Sequence, residues 1–125
     1  DALQSVTKSI INDFKNTKSF DDRKKESLHI IKKYSERIPI IVQKDKKCNL
    51  NEIDKCKYLV PKDLTLGQFI YIIRKRIILE PSQTLFIMIN NRMVTSSDIM
   101  SNIYDCNADE DGFLYIIYSS ENTFG

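Results

Sequence analysis

The sequence predicts an α+β fold in which two additional N-terminal helices precede a ubiquitin-like β-grasp sheet. Three observations carry this prediction. Helical periodicity is confined to the first third and to one later segment, β-branched runs begin abruptly at Arg37, and the remaining runs alternate with short turn signals. With 125 residues, 42% of them hydrophobic and 29% charged, the chain is of a size that buries one core. The expected division is a helical extension over residues 1–36, packed on a β-grasp domain over 37–125 that ends in a flexible tail.

The first helix is read in ALQSVTKSIINDFK, where Leu3, Val6, Ile10 and Phe14 recur at helical spacing. NTKS is expected to break it. Its apolar side has two readings, packing on the domain or touching a membrane or another subunit. A second helix is read in FDDRKKESLHIIKKYSER, with Asp21 and Asp22 suited to a helix start and Leu28, Ile31 and Tyr34 along one side.

RIPIIVQK, residues 37–44, is a strand by composition, with Pro39 near its start. A lysine-rich connection leads to YLVP, a second strand closed by Pro61. Leu66, Phe69, Ile70, Ile73 and Ile77 then mark a helix from about Thr65 to Ile77, whose polar side carries Arg74, Lys75 and Arg76. TLFIMI is a third strand, NN a turn, SSDIMSNIYD a short capped helix and FLYIIYS a last strand.

Several function classes are disfavoured. The net charge of +2 does not by itself call for nucleic acid, although charge is unevenly placed: +2 over residues 1–36, +5 over 37–81 and −5 over 82–125. The basic middle could receive an acidic ligand. Cys48, Cys56 and Cys106 form no C-x-x-C pair and, with the lone His29, make a poor zinc set and a poor disulfide framework. No metal or cofactor is expected, and the compartment is expected to be reducing and cytoplasmic. No run approaches the roughly 18 apolar residues of a membrane span. His29 lies on a lysine-rich helix with no orienting partner, so no enzyme is expected. NADEDG lacks the alternating ligands of a calcium loop and reads as a polar turn.

KYSERIPIIVQK, IDKCKYLVPKDLTLGQFIYIIRKRI, DEDGFLYIIYS and ENTFG occur in order from about Phe20 to Gly125. In these segments the chain resembles the autophagy-related ubiquitin-like modifiers, the family of GABARAP and the microtubule-associated protein light chains. The resemblance implies conjugation of the Gly125 carboxylate to phosphatidylethanolamine. A tail ending in glycine, which lacks a Cβ, can thread a narrow enzyme channel, and its carbonyl is open to attack. Whether Gly125 is the encoded end or one exposed by processing stays open.

The resemblance also implies binding of aromatic-x-x-aliphatic peptides as an added strand along Lys57–Val60. By position, the aromatic pocket would comprise Glu26, Ile30, Pro39, Lys55, Lys57, Leu59 and Phe113. The aliphatic pocket would comprise Tyr58, Val60, Pro61, Leu64, Phe69 and Ile72. Arg37, Arg76, Lys55 and Lys57 would receive acids flanking the peptide. Strand alternation independently puts Lys57 and Leu59 on one face and Tyr58 and Val60 on the other. Read from spacing alone, Leu59, Val60, Phe69, Ile72 and Phe113 are core positions, because an apolar stripe usually faces a core.

The implied partners are ubiquitin-like activating and conjugating enzymes, a processing or delipidating cysteine protease, receptors bearing the peptide motif, and an autophagosomal or related membrane. No nucleic acid is expected, and a monomer is expected in solution. Ser35, the NNRMVTSS loop, the Cys48–Asn51 stretch and Ser120 depart from the family pattern. Two other functions stay open: a modifier conjugated to protein, and an unconjugated adaptor for acidic cytoskeletal tails or RNA.

Overall fold

The computed structural model describes residues 13–120, so Leu3, Val6, Ile10 and Gly125 lie outside the described residues. In chain order the elements are α1 (Asp13–Thr17), α2 (Phe20–Lys33), β1 (Arg37–Lys44), β2 (Lys57–Pro61), α3 (Leu66–Arg76), β3 (Phe86–Ile89), β4 (Arg92–Met93), α4 (Met100–Asn107) and β5 (Leu114–Ser119). The five strands form one sheet in the order β2-β1-β5-β3-β4. Its central pair, β1 and β5, is parallel, with Ile40 opposite Leu114 and Val42 opposite Ile116. This is the β-grasp arrangement.

A parallel central pair is ordinarily covered on both faces, and the residues here provide for that. Ile38, Ile40 and Val42 of β1 and Leu114, Ile116 and Tyr118 of β5 form the main core with Leu66, Phe69, Ile73 and Ile77 of α3. Ile41 and Phe113 point to the opposite face, where Phe14 of α1 and Ile30 of α2 cover them. Phe14 meets Phe113 edge to face at 5.1 Å.

The start of α3 is fixed by a reciprocal capping box. The Gln68 amide donates to Thr65 Oγ1 at 3.1 Å, and the Thr65 amide donates to Gln68 Oε1 at 2.9 Å. α2 starts from Ser19, whose hydroxyl accepts from the Asp22 amide at 3.2 Å, with Asp21 and Asp22 in the first turn.

NTKS breaks the first helix as expected, with α1 running through Thr17 and the break falling at Lys18–Ser19. The structure corrects several other expectations. α2 ends at Lys33 rather than at Arg37, and it docks on a different side from its apolar stripe. Leu28 is 52% exposed and Tyr34 also faces solvent, while Arg23 and Ser27 are buried. The reason is polar: Asp111 of the turn before β5 is fully buried, and it takes up Arg23 in an ion pair at 2.6 Å. The Ser27 hydroxyl donates to the Asp111 carbonyl. NADEDG is therefore a turn, as expected, but one whose Asp111 is a buried anchor rather than a solvated acid.

α4 begins at Met100 and has no side-chain cap, so SSDIMSNIYD is helical only in its second half. Its first amides are drawn elsewhere: Met100 N donates to the Leu64 carbonyl and Ser101 N to the Lys62 carbonyl. The two-residue β4 was not foreseen. It follows Asn90 and Asn91, which adopt φ of 52° and 61° and fold back β3 in a tight hairpin.

Candidate peptide-docking face

β2 is an edge strand, bonded on one side to β1. Pro39 decides which of its backbone groups face outward. Pro39 lies opposite Leu59 and has no N–H, so this pair cannot exchange ladder hydrogen bonds. The bonded pairs must be the alternate ones, and the Val42 amide duly donates to the Cys56 carbonyl at 2.8 Å. Lys57 and Leu59 consequently direct their backbone N–H and C=O groups away from the sheet. Arg37 Nη1 donates to the outward Leu59 carbonyl at 3.3 Å.

On the helical side of this edge lies a cavity of about 320 Å³ lined by Ile30, Pro39, Ile40, Lys55, Lys57, Tyr58, Leu59 and Phe113. Six of the seven residues expected in the aromatic pocket therefore line one cavity. Phe113 is almost fully buried, and its edge-to-face packing with Phe14 holds the ring in place. The seventh residue, Glu26, is joined to the cavity through Lys57, whose Nζ lies 2.8 Å from it, and it also receives Lys18. Burial pushes the Glu26 carboxyl up, but the hydrogen bonds from Lys18 and Lys57 outweigh this and hold it below the usual carboxylate range.

The residues expected in the aliphatic pocket divide differently. Tyr58, Val60 and Phe69 are core residues, with the Tyr58 ring meeting Phe69 edge to face at 5.5 Å. Leu64 is half-buried against that core, whereas Pro61 is exposed and Ile72 is 37% exposed. Arg37 and Arg76 are both exposed, and Arg76 pairs with Asp54 at 3.3 Å.

Sequence reasoning missed a larger adjoining cavity of about 480 Å³, lined by Phe14, Val42, Gln43, Lys44, Glu52, Ile53, Asp54 and Cys56. Phe14 links the two cavities, because the ring that lines this one meets edge to face the Phe113 that lines the other. The connection between β1 and β2 folds back to form its wall, and spacing within a lysine-rich loop carries no signal of that. Cys48 is buried, Cys56 and Cys106 are exposed, and all three are free thiols. His29 is exposed on α2. Among the described residues no three His, Cys, Asp or Glu side chains are grouped to hold a metal ion.

The family model described as "Autophagy protein Atg8 ubiquitin like" matches residues 22–125. The chain belongs to the Atg8 family. It is 53% identical over 112 residues to autophagy-related protein 8A of Oryza sativa subsp. indica, covering 90% of this chain and 94% of that protein. Autophagy-related protein 8 of Candida glabrata is 50% identical, over 90% of this chain and 95% of its own length. The crystal structure of Trypanosoma brucei ATG8 superposes with a TM-score of 0.82 at 42% identity, covering 90% of this chain and 97% of that one. As an Atg8-family chain it is a ubiquitin-like protein of autophagy, and the segment outside the relatives is confined to about a tenth of its length.

Proposed function

We propose that this chain is a lipid-conjugated modifier, joined through the Gly125 carboxylate to phosphatidylethanolamine, that recruits receptors with aromatic-x-x-aliphatic motifs to an autophagosomal or related membrane. The observation that carries the recruiting half is the open β2 edge: outward backbone groups at Lys57 and Leu59 stand beside an apolar cavity rimmed by Lys55 and Lys57. An extended peptide added there gains main-chain hydrogen bonds, places an aromatic side chain over Phe113, and sets flanking acids near Lys55, Lys57, Arg37 and Arg76. Exposed Pro61 and Ile72, with half-buried Leu64, offer the surface on which the aliphatic side chain would rest, while Tyr58, Val60 and Phe69 support it from within.

The conjugating half rests on family membership, the family match running through Gly125. Activating and conjugating enzymes would carry the Gly125 acyl group as a thioester, and the lipid amine would displace the thiol to leave an amide. No helix among the described residues is long and apolar enough to cross a membrane, so on this reading the covalent lipid supplies the anchor. A cysteine protease would process or delipidate the tail.

The test is to incubate the full chain with the family's activating and conjugating enzymes, ATP and phosphatidylethanolamine vesicles, then measure the intact mass of the C-terminal peptide. A gain of one diacyl phosphatidylethanolamine on Gly125, lost in Gly125→Ala, is the expected result. A free carboxylate under conditions that conjugate a relative would sink the proposal and favour an unconjugated adaptor.

A further inference from the structure

On the exposed side of α3 and just past its end, Tyr71, Lys75 and Ile78 form a stripe. Tyr71 is 60% exposed and Ile78 is 82% exposed, the latter the most exposed of the large apolar residues in the described chain. Lys75 Nζ lies 4.5 Å from the centre of the Tyr71 ring. With Arg74, Leu79 and Pro81 they line a shallow groove of about 670 Å³.

Ile78 is held in a conformation that its side chain disfavours. α3 closes with a Schellman motif, in which the Leu79 amide donates to the Arg74 carbonyl at 3.1 Å. The residue after the C-cap then has to be left-handed, and this is Ile78 with φ of 55°. Glycine is the usual occupant, and a β-branched residue is strained there. Leu79 packs on the core, but Ile78 does not, so the strain is not repaid by burial within the fold. A strained apolar residue turned to solvent is a sign of an external contact.

The position of the stripe identifies that contact. Arg74 gathers the following loop by donating to the Glu80 carbonyl at 3.1 Å and the Gln83 carbonyl at 2.9 Å. That loop leads into Phe86 at the start of β3, which is opposite Ser119 at the end of β5. The stripe and the departure point of the C-terminal tail therefore share one end of the sheet. Six residues from Ser120 to Gly125 reach at most ~20 Å. Among residues 71–81 there are three cations, Arg74, Lys75 and Arg76, against the single acid Glu80. An amphipathic tyrosine, a lysine beside it and an exposed aliphatic residue are the components of an interfacial membrane contact.

We infer that the Tyr71–Lys75–Ile78 stripe lies on the surface of an anionic bilayer once the chain is tethered there by its C-terminal end. This rests on the tail reading given under Proposed function, but its test does not use Gly125 chemistry. The full chain with a polyhistidine tail appended after Gly125 is held on vesicles that carry a nickel-chelating lipid, in phosphatidylcholine with or without phosphatidylserine. The chain has no tryptophan, so Ile78→Trp introduces a single indole reporter.

On phosphatidylserine vesicles its emission shifts to the blue and is quenched by bromine in the acyl chains, and much less so on phosphatidylcholine alone. Amides of residues 71–82 in the unsubstituted chain exchange several-fold more slowly on the anionic vesicles. Ile78→Gly, which melts no lower than the parent, and Lys75→Glu each lose that protection. An unshifted indole on tethered protein overturns the inference. So does a shift that vanishes when the protein is diluted on the vesicle surface, which would assign the stripe to a second copy of the chain. Equal shifts on both lipid mixtures also overturn it. Because the nickel tether bypasses conjugation, a failure here leaves Gly125 untouched, and a failure to conjugate leaves this result standing.

Discussion

Arg23 Nη1 lies 2.6 Å from Asp111 Oδ2, and through this pair the first turn of α2 is fastened to the turn that begins β5. Asp111 is fully buried and its remaining acceptor sites are filled: the Phe113 amide donates to Oδ1 at 2.9 Å, and the Tyr115 hydroxyl donates to Oδ2. A buried pair satisfied in this way contributes modestly as a whole, but removing one partner strands the other charge. Asp111→Ala is therefore expected to cost about 3–5 kcal/mol, read from urea unfolding of the full chain. Converting the pair to Arg23→Met with Asp111→Leu should recover only the part due to the stranded guanidinium, because the Phe113 amide and the Tyr115 hydroxyl also lose their acceptor. A cost under about 1 kcal/mol for Asp111→Ala would show that α2 is held by its apolar contacts instead.

Gly112 follows this anchor and has a φ of 93°, a conformation open to glycine and few other residues. A Cβ at this position would also sit 2.9 Å from Ser27 Cβ and collide with the Ser27 hydroxyl. Gly112→Ala thus combines backbone strain with displacement of α2. The expected outcome is a loss of about 2–4 kcal/mol, with faster amide exchange across residues 20–33 than across α3. Uniform loss of protection in both helices would show that the α2 contact is not separable from the main core.

Glu26 makes stability depend on acid. Its folded pKa is depressed by Lys18 and Lys57, so its contribution is fully present above the ordinary glutamate range and is lost as pH falls through the lower, folded value. Asp109 behaves alike: burial pushes its carboxyl up, while Lys15 and the Asp111 amide more than offset this. Melting temperature should accordingly fall between about pH 5 and pH 3. Glu26→Gln should melt lower than the parent at pH 7 and show a flatter slope across that interval. Parallel pH profiles for parent and variant would show that the Lys18–Glu26–Lys57 contacts contribute nothing measurable, as exposed pairs sometimes do.

The sequence displays β2, α3 and β5 openly because their burial follows a period, and β1 because a β-branched run buried on both faces is continuously apolar; Thr65 with Gln68 marks the start of α3. What period cannot show is an element held by polar contacts. The apolar stripe of α2 is largely exposed, and its buried side carries Arg23 and Ser27, whose partner is 88 residues away from Arg23 in the chain. β4 is two residues long and depends on left-handed Asn90 and Asn91, a turn geometry that the dipeptide permits but does not require. At the candidate site, alternation in KYLVP matches the burial of the strand, with Lys57 and Leu59 half-buried and Tyr58 and Val60 buried, although Tyr58 also reaches the wall of the surface cavity. It gives no hint of the second cavity, which is built by a loop.

That division of faces makes the two halves of β2 respond differently to truncation. Leu59 lines the surface cavity, so Leu59→Ala should leave the fold nearly unchanged. It should weaken a peptide with an acidic aromatic-x-x-aliphatic sequence by about five- to thirty-fold in titration calorimetry, the loss of one well-buried apolar contact. Lys57→Glu should weaken the same peptide through charge, and its effect should shrink with added salt. Tyr58 packs beneath the strand against Phe69, so Tyr58→Ala is expected to cost about 3–5 kcal/mol of stability before any effect on binding is considered. The docking assignment fails if Leu59→Ala binds as tightly as the parent while a substitution on another face weakens the peptide. In that case the outward groups of β2 would be an unused edge, guarded by Arg37 at the Leu59 carbonyl.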